Sequence, residues 1–354
     1  MSSSERRAAG RRFLALLFAG LTLMLGGVIA LTALTDPSGL LVGGGWSPGV
    51  CAQGMKDRHP SFMAAWIRRN QPDEIIIGTS RVRRGFEHGG LTPAPNRTAM
   101  NLGYSGASLA DIDAITRQAI VDAPIQRVWI GLDFGSFATT DRARRPAAMG
   151  RRWATAQQDA LFTGLLSAQA LQATREILRH PGTCAVAPFD TRGFPNPAAE
   201  PFEASHRANL PGKMVRAGIL ASWLRSPAER EALYTGELAR FTRLLSDMER
   251  QGMTVVLFVG PTHPAYDSLI AEAGLSQMRI RWRTDVARIA DAYGVVLVSA
   301  DRPGFLADLP GLAEGCETAP ADCAFYDATH FRPVVGKAII AEGRRLSEAR
   351  HHDK

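Results

Sequence analysis

One stretch of the chain carries no charged position at all. Phe13 to Leu34 (FLALLFAGLTLMLGGVIALTAL) is 22 residues of apolar and small side chains. As a helix it spans about 33 Å, enough for the hydrocarbon core of a bilayer, and the pattern predicts a transmembrane anchor over 13–34. Arg6, Arg7, Arg11 and Arg12 crowd the residues before it, with only Glu5 opposing them. Basic residues on the amino side of a span place that side in the cytoplasm, so 1–12 reads as a cytoplasmic tail and everything after the span as exported. A cleavable signal is the alternative. Its apolar run is shorter, about 7–15 residues, and ends in a small-x-small site, for which Ala30–Ala33 is a poor match.

Past the span the pattern changes scale. Residues 35–60 are rich in Gly and Pro without a period and read as a linker. A domain over 61–350 follows, built on alternation. Helical spacing over Ser61–Asn70 leads to a short apolar run, Glu74–Gly78 (EIIIG). Helical spacing over Ala107–Ala123 leads to Arg127–Leu132 (RVWIGL), and Ala228–Gln251, closed by Gly252, leads to Thr254–Gly260 (TVVLFVG). Gln277–Tyr293, closed by Gly294, leads to Val295–Ser299 (VVLVS), and a last helix is predicted over Gly336–Arg350. Strands that are apolar on both sides and alternate with helices predict a parallel sheet covered on both faces, a three-layer α/β/α domain. The alternation breaks between about 141 and 226, where an Ala/Leu/Gln helix near Trp153–Arg179 precedes a Pro-rich loop, Pro188–Pro211. This reads as an insertion of the kind that forms lids or docking surfaces.

Composition adds exclusions. Of the 354 residues, 45% are hydrophobic and 21% charged, which rules out wholesale disorder, a collagen repeat and a polytopic membrane protein. The formal charge is +7, but the basic tail supplies a net +3 of it, and the +4 left over the rest of the chain is no footprint for nucleic acid. Cys51, Cys184, Cys316 and Cys323 all follow the span, where disulfides are permitted. Four cysteines allow three connectivities. The short polar loop between Cys316 and Cys323 favours that pair, leaving Cys51 with Cys184; four unpaired thiols are the alternative. No C-x-x-C motif argues for zinc, and no metal or cofactor is expected.

Candidate chemistry is sought at the carboxyl ends of the strands, where parallel sheets gather ligands. After the first strand stands Gly78-Thr79-Ser80-Arg81, a hydroxyl on a tight turn and so a candidate nucleophile; a plain turn or cap is the alternative. The next strand region ends in Asn101-Leu102-Gly103-Tyr104-Ser105-Gly106-Ala107-Ser108. An exposed glycine amide such as that of Gly106 can stabilise an oxyanion, or the run is a strand-to-helix turn capped by Ser108. Near the carboxyl terminus Asp327 and His330 are three residues apart, within reach over one turn, so that the carboxylate can orient the imidazole. His263, in Gly260-Pro261-Thr262-His263-Pro264, should line the ligand edge after the strongest strand. Arg81, Arg83 and Arg84 stand beside the candidate nucleophile, as binders of an anionic substrate group or as a solvated face.

Gly-x-Ser after an early strand, Asn-x-x-x-x-Gly after the next and Asp-x-x-His before the last helix together resemble the SGNH/GDSL hydrolase superfamily. The resemblance covers about residues 73–135 and 254–345. It implies a flavodoxin-like sandwich with Ser80 as nucleophile, Asp327 and His330 as its partners, and the amides of Ser80 and Gly106 in the oxyanion hole. Asn101 and His263, with Arg81, would contact substrate. The third block of the family is Gly-x-Asn, whose Asn is a further oxyanion donor; here the run is Gly131-Leu132-Asp133, and an ionised carboxylate accepts hydrogen bonds rather than donating them. Asp133 either sits protonated in the hole or pairs with Arg81 or Arg83. The family signature Gly-Asp-Ser is Gly-Thr-Ser here.

The nearest resemblance is to membrane-anchored envelope members, loosely like DltD and the alginate-acetylation proteins. It implies a bacterial-type inner membrane location with the domain outside, an acyl-ester or glycan substrate, and a membrane protein that supplies acyl groups. The expected function is a serine esterase or O-acyltransferase acting on acyl esters of cell-envelope polysaccharide. The alternative is a weak or inactive envelope component that binds glycan or a membrane partner.

Overall fold

The computed structural model describes residues 3–37, 60–87, 91, 98–138, 162, 164–179, 192–194, 226–309, 324–326 and 329–352. The four cysteines, Asp327, most of the linker and most of the insertion lie outside the described residues. The elements, in chain order, are α1 (Ser3–Thr35), α2 (Pro60–Asn70), β1 (Glu74–Ile77), α3 (Ser80–Gly85), β2 (Ala99–Asn101), α4 (Leu109–Asp122), β3 (Arg127–Leu132) and α5 (Phe134–Ala138). They continue with α6 (Ala168–Arg179), α7 (Pro227–Arg250), β4 (Thr254–Val259), α8 (Pro264–Glu272), α9 (Ser276–Ala292), β5 (Val296–Ser299) and α10 (Pro333–His352).

The apolar run and the basic residues before it form one continuous helix, α1. Phe13, Leu16 and Leu23 are 66%, 74% and 77% exposed, so the long apolar surface of α1 is not covered by the domain. By length and composition α1 can cross a membrane.

The five strands form an all-parallel sheet in the order β2-β1-β3-β4-β5. Every strand is sealed by alternate packing on two sides. Ile75, Ile77, Val128, Ile130, Leu132, Val255, Leu257 and Val259 face one buried cluster, which also contains side chains from α2, α4, α7 and α9. Ile76, Trp129, Val256, Phe258, Val296 and Val298 face a second, built with α3 and α10. Two faces covered by helices explain why the strands read as unbroken apolar runs. A buried carboxylate sits among them: Glu74 opens β1, and its Oε1 accepts a 2.6 Å bond from the Trp129 indole and lies 3.7 Å from Arg127 Nη1.

Local signals set the helix starts. Ser108 caps α4 in a reciprocal box with Asp111, and Ser226 caps α7 the same way with Glu229. Ser108 therefore has the capping role weighed from the sequence.

The order 2-1-3-4-5 reverses direction between β1 and β3, which is where doubly wound sheets open a crevice at their carboxyl edge. Register makes this concrete. Ile77 pairs with Ile130, and Leu132 with Val259, which in turn pairs with Ser299. The turn after β1 therefore runs out level with the ends of β3, β4 and β5.

Candidate active site

Gly78 lets the chain turn sharply at the end of β1. A Cβ there would lie 2.4 Å from the Val82 side chain and 3.0 Å from the Gly131 carbonyl, so no larger residue fits. Thr79 then caps α3, its hydroxyl accepting from the Arg81 amide at 3.3 Å, and Ser80 follows as the first helical residue, half-buried.

His330 arrives from the other end of the chain on a small hairpin. Phe325 and Phe331 pair antiparallel, the Tyr326 amide donates to the His330 carbonyl at 2.8 Å, and the Arg332 amide donates to the Ala324 carbonyl at 2.9 Å. Phe331 is the wedge that fixes this hairpin. Its ring sits edge-on to Phe86, 5.7 Å between centroids, and so close to Gly85 and Gly260 that a Cβ on either would fall 2.0 Å and 2.7 Å from it. The result is a hydrogen bond of 2.8 Å between Ser80 Oγ and His330 Nε2, across 250 residues of sequence. On the other ring nitrogen, Thr329 Oγ1 lies 3.1 Å from His330 Nδ1.

Arg81 ties the surrounding loops together. Its Nη1 bonds Asp133 Oδ1 at 2.5 Å, its Nε donates to the Thr329 carbonyl at 2.8 Å, and its Nη2 donates to the Pro261 carbonyl. The other oxygen of Asp133 accepts from the Thr79 hydroxyl. Side chains of Arg81 and Asp133 are only 12% and 15% exposed, and the guanidinium also lies 5.6 Å from the Phe331 ring centroid. One cation thus joins the ends of β1, β3 and β4 to the residue preceding His330.

Several sequence expectations change here. Arg81 is not a free cation for substrate, because its guanidinium is spent on protein oxygens. Asp133 accepts on both carboxylate oxygens and has no donor to offer an oxyanion; of the two roles foreseen for it, the pairing with Arg81 is the one present. Asn101 is fully buried rather than facing a groove: its amide nitrogen reaches the Val82 and Phe86 carbonyls, at 3.1 and 3.4 Å, and its oxygen takes the Gly103 amide at 2.9 Å. Arg83 is fully buried too and props the neighbouring loop through a 3.1 Å bond to Ser105 Oγ. Arg84 is half-buried. His263 stands at the carboxyl edge after β4, where it was expected, and caps α8. Its Nδ1 accepts from the Ala265 amide at 3.1 Å, and its ring packs edge-on against Phe325 of the His330 hairpin at 5.6 Å.

The loop 103–106 lies alongside the turn that carries Ser80. The Tyr104 amide donates to the Gly78 carbonyl at 2.9 Å. Gly103 rests on the backbone of Arg83, where a Cβ would be 2.4 Å from the Arg83 nitrogen. Gly106 has φ +72, a left-handed conformation that disfavours side chains. The contributors that sequence reasoning missed are Thr79, Pro261, Thr329 and Phe331. The two threonines flank the candidate pair in sequence, which is the only signal they carry; Pro261 acts through its carbonyl and Phe331 through shape.

The same edge holds a buried acid. Asp301, just past β5, has a side chain only 5% exposed and pairs with Arg283 at 2.5 Å. Burial pushes its carboxyl above the usual range, although Arg283, Arg279 and Arg81 oppose the shift. A raised acid favours the protonated native state. Its contribution is therefore present below the unfolded-state pKa and lost as pH rises through the folded one. Asp301→Asn is expected to leave the melting temperature near pH 4 almost unchanged and to raise it near pH 7, and thermal melts across that range read the difference. A variant less stable at neutral pH than the parent would show that the ion pair outweighs the burial cost.

The arrangement can carry one kind of chemistry directly. A hydroxyl hydrogen-bonded to an imidazole can lose its proton to that ring as it attacks an electrophile. Among the described residues, no three His, Cys, Asp or Glu side chains cluster as metal ligands would. A scan against protein-family models finds no match for this chain, and a search of curated proteins finds none either.

Proposed function

We propose that the protein is a membrane-anchored serine esterase or O-acyltransferase of the SGNH/GDSL type, with a flavodoxin-like sandwich, acting on acyl esters of cell-envelope polysaccharide. The observation that carries the reading is the 2.8 Å contact between Ser80 Oγ and His330 Nε2 at the carboxyl edge of the sheet. In this mechanism Ser80 Oγ gives its proton to His330 Nε2 and bonds the acyl carbon. The donor alcohol leaves with that proton. Water or a glycan hydroxyl then loses its proton to Nε2 and takes the acyl group, and Ser80 recovers its hydrogen. Asp327 supports the imidazolium, and the amides of Ser80 and Gly106 hold the oxyanion. The domain works outside a bacterial-type inner membrane, its N-terminus in the cytoplasm, beside a membrane protein that supplies acyl groups.

The engagement of Asp133 favours a second reading. One oxyanion donor is worth about 100- to 1,000-fold in rate, so a hole lacking its side-chain donor implies a slow enzyme or a glycan-binding component without turnover. A fluorophosphonate probe on the full chain in detergent separates the two. The enzyme reading expects covalent labelling of the parent, none of Ser80→Ala, and loss of acetyl-ester hydrolysis in both Ser80→Ala and His330→Ala. An unlabelled parent, or equal labelling of Ser80→Ala, overturns the covalent mechanism; retained glycan binding would then support the second reading.

A further inference from the structure

Helix α6 belongs to the insertion and has no part in the site. It packs against the last turns of α1. Thr32 and Thr35 of α1 are fully buried, and Thr35 Oγ1 lies 3.0 Å from the buried Thr174 Oγ1 of α6. The hydrocarbon core takes about 20 residues of helix, ~30 Å, which measured from Arg12 reaches Thr32. The part of α1 that α6 covers is therefore the part that leaves the hydrocarbon.

The surface of α6 has three stripes. Ala170, Ala173, Thr174 and Ile177 are buried. Leu171 and Leu178, two turns apart on one line, are each 39% exposed. Arg175 and Arg179 are exposed on the side of the leucine stripe away from the buried one, with Gln172 beside them. Apolar side chains bordered by arginines are what a helix at a lipid surface presents. The leucines enter the acyl boundary while the arginine stems extend to phosphates.

We propose that α6 lies in the headgroup layer of the bilayer that α1 crosses, with Leu171 and Leu178 toward the acyl chains and Arg175 and Arg179 on anionic lipid phosphates. This rests on the reading of α1 as a membrane anchor, and the test separates the two claims. The full chain is reconstituted in nanodiscs of phosphatidylcholine and phosphatidylglycerol that contain a phospholipid with a photoreactive diazirine near its headgroup, and adducts are mapped by peptide mass spectrometry. Adducts on both α1 and α6 are expected, with those on α6 lost in Leu171→Asp/Leu178→Asp while those on α1 persist. Adducts on α1 alone in the parent overturn the seating of α6 and leave its leucines to a protein partner. Absence of adducts on α1 as well overturns the anchor and, with it, this proposal.

Discussion

Arg81→Gln is expected to slow fluorophosphonate labelling of Ser80 by about 100-fold, the scale on which a misplacement of about 1 Å acts. The substitution removes the fork that holds Asp133, Pro261 and Thr329 around the serine turn. It also leaves the Asp133 carboxylate with the Thr79 hydroxyl in a nearly closed site. Breaking one side of a buried ion pair costs about 3–5 kcal/mol, and the residual exposure of both side chains places this one toward the lower end. Arg81→Lys keeps the charge but cannot bond three loops at once, so it should recover part of the stability and little of the labelling rate. Adding Asp133→Asn to Arg81→Gln removes the orphaned charge. The double variant should melt above the single one and still label slowly, because the tether to Thr329 stays absent. A labelling rate for Arg81→Gln equal to that of the parent would refute the positioning role, and recovery of rate together with stability in the double variant would reduce Arg81 to a purely structural residue.

The second large effect comes from a glycine that touches no polar group of the site. Gly336 in α10 lies against α3, and a Cβ there would sit 1.9 Å from the Gly85 carbonyl oxygen and 3.0 Å from the Phe86 ring. Both sides of that contact are backbone or buried ring, so neither can swing away. Gly336→Ala therefore forces α3, which begins at Ser80, away from α10, which begins just after His330. Overpacking of this kind costs about 1–3 kcal/mol, more than the roughly 1 kcal/mol that Ala gains over Gly within a helix. The expected outcome is a lower melting temperature together with slower labelling. Gly236→Ala is the control, since that position in α7 has nothing within 4 Å of the added carbon and should stabilise the fold by about 0.5–1 kcal/mol. Gly336→Ala melting at or above the parent would show that the two helices can slide apart freely.

Much of the scaffold could be read from periodicity, because burial on both faces leaves each central strand as an uninterrupted apolar run. Arg127–Leu132 coincides with its predicted span, and β1, β4 and β5 fall within a residue of theirs. Helices α4, α7 and α9 also agree within two residues, α4 and α7 being started by capping serines. What escaped was short or tertiary. Helices α3, α5 and α8 begin immediately after strands or turns and are too brief to show a helical period. At the site, Ser80 and His330 stand where a hydroxyl after the first strand and a histidine before the last helix pointed. The placement of the arginines was not legible. Three cations within four residues look the same in sequence whether they face solvent or, as with Arg83, lie wholly buried. Asp133 could be recognised as unable to donate, but only the register between β1 and β3 brings it beside Thr79 and Arg81.

The hydroxyl and its imidazole enter the molecule at opposite ends of the folded domain, with the sheet between them in chain order. A nascent polypeptide has therefore synthesised all five strands before residue 330 exists, and a product terminated between them carries the serine without its imidazole partner. On the mechanism proposed above, loss of the carboxyl terminus by proteolysis would abolish labelling of Ser80 even where most of the core survives.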